Sequence, residues 1–377
     1  MLYVGTEEGV AFSSDDGNTW HPLKLNLPTA PVHDLIVKDN DLIVGTHGRS
    51  IWILDDLTPL RRWSADIAEK ALHVFPAADT IRWKGSTGRS GGRQGVFPNP
   101  PRGAVIHYYL KSKPKGEMTL EIMDAHKKVI AKLSSRSEPS ESGDESPRRF
   151  RQDRTALPTT PGLHRIVWDL SYDGPTTIRG AMSWPGAPSS GPTALPGEYQ
   201  LRLTVDGQSE TVPLVIKPDP RVTMEIKDLE EQLKLALEVR EDITKLSKTV
   251  QQLRSVKTQL TDRANLWKAK KETKLLADQC KEIIKKLDTI EEGLHNPKAK
   301  ITYDLLAQKG GCQVYSQLCS VYSTLTSTDG APTQGVREHL EEQRKLFARL
   351  DADWRKVLQE DLPKLNDEAK KMDVIKP

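Results

Sequence analysis

Cysteine is scarce in this chain: three residues among 377, at Cys280, Cys312 and Cys319, too few for a disulfide framework. Cys312 and Cys319 lie seven positions apart, about 10 Å on one helix, which is beyond the reach of a disulfide. All three are expected to be buried small hydrophobes. No apolar run approaches the ~18 residues that cross a bilayer. The first residues show neither the basic region nor the long apolar core of a signal peptide. An excess of one charge is also missing. Lys and Arg total 55 against 52 Asp and Glu, a net charge of +3, so no attraction of the whole chain to nucleic acid or an anionic membrane is expected. There is no H-E-x-x-H, no G-x-S-x-G, no phosphate loop and no metal-spaced cysteine pair. Asp55 and Asp56 are adjacent, but two acids fall short of the several oxygen ligands that Ca²⁺ takes. No cofactor and no metal site is therefore expected, and the residues name no reaction.

What is present begins with Ser13-Ser14-Asp15-Asp16-Gly17-Asn18-Thr19-Trp20. In this S-x-D-x-G-x-T-W pattern, Asp15 can accept backbone N–H groups of its own turn. Gly17 can take φ > 0, and the Thr19 hydroxyl can close the loop. Trp20 is expected to start the next strand as an apolar anchor. The second feature is a repeat. Leu2-Tyr3-Val4-Gly5-Thr6 returns as Leu42-Ile43-Val44-Gly45-Thr46, and Ala11-Phe12 as Ile51-Trp52. Short strands repeating every ~40–45 residues are the sequence signature of propeller blades.

These residues resemble the BNR/Asp-box propellers, a repeat shared by sialidases, sortilin-type receptors and xyloglucanase-type glycosidases. Within them the chain is most similar to a bacterial glycosyl-hydrolase-like group in which such a propeller precedes two further domains. The run from Gly45 through His47-Gly48-Arg49 to Asp55-Asp56-Leu57 resembles that group's last blade. The resemblance implies a secreted, periplasmic or cell-surface protein.

Residues 1–62 read as one and a half blades, with strands near 2–5, 9–13, 19–23, 32–37, 41–46 and 50–54. A propeller needs four or more blades to close, so the chain is expected to begin inside a larger propeller. Residues 63–103 leave the pattern and read as a linker, in which Arg82, Lys84, Arg89, Arg93 and Arg102 fall among glycines. Such a loop can grip phosphates, but without interleaved aromatics it reads as a solvated connector. From residue 104 to 220 the period is two. The clearest case is Tyr199 to Val205, turned by Asp206-Gly207 into the run through Val212, Leu214 and Ile216. Six or seven such strands predict a β-sandwich. Gly162 to Asp169 and Pro196-Gly197-Glu198-Tyr199 are similar to the immunoglobulin-like domain of the flagellar hook-capping protein. Residues 134–160, rich in Ser, Glu, Arg and Pro, read as a flexible insert, and 173–196 as a second irregular loop.

Beyond Pro220 the apolar spacing changes to three and four. Leu229 to Leu260 predicts one helix of ~50 Å, and Leu276 to Leu294 a second. Leu318 to Leu325 marks a third, disturbed at its start by Gly310-Gly311. Val336 to Leu358 marks a fourth, with Pro363 near its end. Short connections suggest that residues 221–377 form an antiparallel helical bundle; an intermolecular coiled coil is the alternative. The fold class expected is thus multi-domain β plus α: partial propeller blades, an immunoglobulin-like sandwich and a C-terminal bundle.

The Asp-box residues Ser13, Asp15, Gly17, Thr19 and Trp20 are structural in the families resembled. The loops Glu7-Glu8 and His47-Gly48-Arg49 fall at the opposite end of their strands, where propellers bind ligands. Glu7, His47 and Arg49 are the candidate rim residues, against the plainer reading that they satisfy loop backbone or one another. Two functions follow. One is a non-catalytic interaction protein that binds or positions a protein or glycan. The other is the accessory tail of a glycoside hydrolase or sialidase-like enzyme whose active site lies in further blades.

Overall fold

The structure, a computed structural model, describes residues 1–83, 101–136, 156–268, 271–306 and 309–371. Its content is mixed α and β: several small sheets and a C-terminal helical region. The described residues form two compact units, one of residues 1–136, 156–170 and 196–219 and the other of residues 171–195 and 220–371.

The first unit opens with two three-stranded antiparallel sheets. β1 (Leu2–Thr6), β2 (Gly9–Ser13) and β3 (His21–Leu23) form one. β4 (Val32–Lys38), β5 (Asp41–Thr46) and β6 (Ile51–Leu54) form the other. Residues paired across strands share a face, and successive residues alternate faces. Tyr3, Phe12, Val10 and Leu23 therefore point from the first sheet onto Leu35, Leu42, Val44, Trp52 and Leu54 of the second, where they share one apolar core with the buried Leu57. Full burial of a side chain such as Leu42 or Val44 stabilises by about 1.5–3 kcal/mol.

Helices α1 (Thr58–Arg62) and α2 (Ala65–Glu69) follow, then β7 (Leu72–Val74) and β8 (Thr80–Arg82). Here the structure departs from the linker read over 63–103. β7 adds an antiparallel edge to β9 (Ala104–Leu110), and β8 pairs in parallel with β14 (Gln208–Pro218). Arg82 is buried, and the Arg102 guanidinium stacks 4.6 Å from the Trp83 ring centroid, so these two arginines do not form an open basic surface. Lys84, Arg89 and Arg93 lie outside the described residues.

The remaining strands are β10 (Thr119–Met123), β11 (Val129–Ser134), β12 (Gly162–Trp168) and β13 (Gly197–Val205). The sheet orders are β11-β10-β13-β14-β8 and β12-β9-β7. Asp206 (φ 47°) and Gly207 (φ 83°) make the two-residue turn between β13 and β14, both central residues having the positive φ of a type I′ hairpin. Trp168 of β12 meets Tyr199 of β13 edge-on, with ring centroids 6.1 Å apart, so an aromatic pair joins the two sheets. The insert read over 134–160 is shorter at both ends: Leu157 is buried, and its N–H donates to Ser134 O at 3.0 Å. Residues 137–155 lie outside the described residues.

In the second unit, α3 (Ile226–Trp267) runs 42 residues, about 63 Å at 1.5 Å per residue. It packs with α4 (Lys274–Leu294), α5 (Val314–Ser327), α6 (Gln334–Lys356) and α7 (Leu362–Lys371) around one core that includes Val239, Ile243, Leu287, Leu318 and Trp354. Pro363 does not end the last helix. A π-helical turn, Val357–Asp361, precedes α7 and places the proline in the helix's first turn, where no intrahelical N–H is needed.

The loop read as irregular over 173–196 belongs to this second unit. Ile178 enters the helical core. Ser316 Oγ accepts Trp184 N–H at 3.0 Å, Asp173 O accepts Arg240 Nη1 at 3.1 Å, and Ser190 O accepts the Tyr322 hydroxyl at 2.9 Å. Its prolines and glycines suit a path fixed by backbone bonds to helices more than by pairing within itself.

Candidate functional site

The Glu7-Glu8 loop closes β1 onto β2. Thr6 Oγ1 donates to Gly9 O at 3.0 Å and accepts Glu8 N–H at 3.2 Å, so the threonine shapes the turn and leaves both carboxylates outward. The loop from β5 to β6 is built similarly. Thr46 Oγ1 donates to Ser50 O at 2.5 Å, Gly48 (φ 71°) and Ser50 (φ 67°) take left-handed backbone, and Trp52 Nε1 donates to Arg49 O at 2.7 Å. His47 N–H donates to Pro31 O at 2.8 Å, holding the loop to the start of β4.

Both loops lie at one end of the packed sheets, because Gly5 abuts Val32 and Val32 pairs with Thr46. Glu7, His47 and Arg49 are all exposed. The structure adds a residue that the sequence reading missed: the His33 ring lies 4.9 Å from the His47 ring, tilted by 38°. The alternation of β4 conceals it, since a polar residue on a strand reads as an outward position and nothing more. Two carboxylates, two imidazoles and a guanidinium thus sit on a single end. They can donate to and accept from a polar ligand.

The turn from Ser14 to Trp20 joins β2 to β3 at the other end of the first sheet. The buried Ser13 hydroxyl donates to Asp15 Oδ1 at 2.8 Å and accepts Gly17 N–H at 2.8 Å. Asp15 Oδ1 accepts Thr19 N–H at 2.9 Å, and Oδ2 accepts the Thr19 hydroxyl at 2.6 Å. The Thr19 bonds, with the Ser13 hydroxyl, hold the Asp15 carboxyl down to a pKa of about 2 by favouring its charged form. Asp16 (φ 57°) and Gly17 (φ 96°) supply the left-handed turn. Trp20 is not the anchor expected of it. It is 44% exposed and lies outside the shared core, because β3 begins one residue later at His21.

Asp55 and Asp56 are both engaged by neighbouring strands, Asp56 mostly buried and Asp55 partly exposed. Asp56 Oδ2 lies 3.3 Å from His107 Nδ1, its Oδ1 accepts Thr58 N–H at 3.0 Å, and Asn40 Nδ2 donates to it as well. Burial pushes the Asp56 pKa up, but the bonds from His107 and Thr58 outweigh it and leave the carboxyl at about 2. Asp55 Oδ2 accepts Arg165 Nη2 at 3.2 Å. The two acids therefore tie the repeat sheets to β9 and β12. Among the described residues no three His, Cys, Asp or Glu side chains gather as metal ligands would.

A second charged cluster lies in the helical unit. Glu291 Oε1 accepts Arg254 Nε at 2.7 Å and lies 3.1 Å from His295 Nε2, while Arg254 Nη1 donates to Arg179 O at 3.1 Å. Burial raises the Glu291 pKa, yet the His295 and Arg254 contacts bring it to about 2. His295 Nδ1 is buried and has no partner among the described residues. Glu291 and His295 stand four apart on a helix, a spacing visible in the sequence, but their burial is not.

No family model, no curated protein and no solved structure matches the chain. Among the described residues, no helix is long and apolar enough to cross a membrane.

Proposed function

We propose that this chain is a non-catalytic portion of a secreted or cell-surface Asp-box propeller protein, which binds or positions a protein or glycan partner. In this reading the two repeat sheets are propeller blades, β7–β14 an immunoglobulin-like sandwich, and α3–α7 an antiparallel bundle. The observation that carries it is the Asp15 turn. One carboxylate there engages Ser13 and Thr19 at 2.6–2.9 Å, in a sheet that packs on its own repeat. Such a turn fixes a strand connection; it leaves no free group for chemistry. The partner would meet the opposite end, where Glu7, His33, His47 and Arg49 stand exposed. Arg49 suits a carboxylate, whether of an acidic sugar or an acidic side chain.

The test is binding to an array of acidic and neutral glycans and to acidic peptides, with Arg49→Ala and His47→Ala beside the parent protein. Both variants are expected to lose binding, and Asp15→Asn to retain its specificity. A panel of aryl glycosides and sialosides is expected to show no turnover. Turnover abolished by substituting Glu7 or Asp55 would overturn the non-catalytic reading, and binding indifferent to Arg49 and His47 would overturn the rim.

A further inference from the structure

Most histidines of this chain have a polar partner. His73, His107 and His295 stand beside the carboxylates of Glu210, Asp56 and Glu291. His339 lies near Gln317 and Glu342, and His164 meets Thr160 O. His33 and His47 differ. Both are exposed, and their ring centroids lie 4.9 Å apart. Among the described residues no hydrogen bond or ion pair engages either imidazole.

The pairing of β4 with β5 brings the two rings together. Val32 pairs with Thr46 and Asp34 with Gly45, so His33 is the extra residue of a β-bulge, an irregularity that re-aims a side chain. His47 directly follows Thr46, and its N–H donates to Pro31 O at 2.8 Å. The spacing of the rings is thus set within one sheet, whatever packs around it. Two imidazoles on one tetrahedral ion, at about 2.0–2.1 Å per nitrogen, have ring centroids about 5 Å apart. The 4.9 Å separation and 38° tilt fit that arrangement. Rotation of the two exposed side chains about their own bonds suffices to aim one nitrogen of each at a common point.

We infer that His33 and His47 are the protein ligands of a divalent transition-metal site of the zinc class. Imidazole nitrogen suits Zn²⁺, Cu²⁺ and Ni²⁺, whereas Ca²⁺ and Mg²⁺ take oxygen. Two ligands are fewer than the four of a structural site, and among the described residues no third His, Cys, Asp or Glu joins them. The ion therefore binds reversibly, and its remaining positions hold water. It adds positive charge on the loop that carries Arg49, at the end proposed to meet an acidic partner. The metal alone is the probe, so this inference and the rim reading can fail separately.

The experiment is calorimetric titration of the full chain with Zn²⁺, beside His33→Ala, His47→Ala and the double variant. His21→Ala and Cys312→Ser serve as controls, since His21 is exposed and Cys312 partly so. Circular dichroism checks folding, which substitutions at exposed positions should leave intact. Wild type and both controls are expected to bind one ion per chain. Each single alanine variant is expected to bind more than about tenfold more weakly, the loss that even a supporting residue of a metal site costs. The double variant is expected to lose little more, since one imidazole alone holds the ion poorly. Ca²⁺ is expected neither to bind nor to compete. Wild type that binds no Zn²⁺ at millimolar ion overturns the inference. So does binding that either alanine variant keeps, or that a control substitution abolishes, because the ligands then lie elsewhere. Equal competition by Ca²⁺ would make this an oxygen site and overturn the imidazole assignment.

Discussion

A Cβ built on Gly5 would lie 2.7 Å from Val32 Cγ1 and 3.1 Å from Val32 O, so β1 approaches β4 as closely as it does because Gly5 has no side chain. Gly5→Ala forces the two sheets apart and is expected to destabilise the first unit by about 1–3 kcal/mol, the cost of overpacking. Gly45 is its counterpart in the repeat, yet a Cβ there meets Asp34 Cβ at 3.5 Å, an ordinary contact. Gly45→Ala is expected to fall within about 0.5 kcal/mol of wild type. Urea melts of the pair check this, and equal shifts would refute the packing described.

Asp15 links stability to acid. Its pKa is depressed to about 2 in the folded protein and lies near 3.9 in an unfolded chain. The folded state therefore binds the proton less readily, and the stabilisation is full above about pH 4. It is lost as pH falls from there through about 2. Asp15→Asn is expected to lower the melting temperature at neutral pH and to shrink the difference from wild type towards pH 2. Melts at several pH values check it; a difference that grows on acidification contradicts the Thr19 contacts.

Much of the sheet architecture is legible in the sequence, because alternation acts locally. Tyr199 to Val205 shows its period over seven of the nine residues of β13, and Asp206-Gly207 can hardly do anything but turn. β7 and β8 are not legible, since three residues each are too few to display a period and only their partners make them strands. The loop read over 173–196 misleads for the opposite reason. Its composition reports an irregular path truthfully, but not that Ile178 is buried among helices by tertiary packing. At the site, Glu7 and Arg49 follow from their loops, whereas His33 depends on how β4 is placed beside β5.

Arg254 and Glu291 form a partly buried pair. Arg254→Met leaves the Glu291 carboxylate, 7% exposed, with its main hydrogen-bond donor gone. The expected loss is about 2–3 kcal/mol, below the 3–5 of a fully buried pair because the Arg254 side chain is 38% exposed. Glu291→Gln is expected to cost less, since the guanidinium can rehydrate. Chemical denaturation followed by helical circular dichroism checks the order.

The thiols are expected to separate by burial. Cys280 and Cys319 are buried, and burial pushes the Cys319 thiol up to about 12, which suppresses the reactive thiolate. Cys312 is partly exposed. A thiol reagent should modify Cys312 first in the native protein and all three after unfolding. Rapid modification of Cys319 in native protein would contradict the core around α5.

The path of residues 171–195 governs how this polypeptide can be divided and made. The chain leaves the sheet unit after Leu170, contributes Ile178 and several backbone acceptors to the helices, and returns at Pro196 for β13 and β14. A polypeptide started at Pro220 would carry every long helix but lack a residue of its own interior, so it should express as a looser, aggregation-prone species. During synthesis the loop emerges before any helix that it serves. It must wait for α3 and α5 to leave the ribosome, while β13 and β14 are already free to pair behind it.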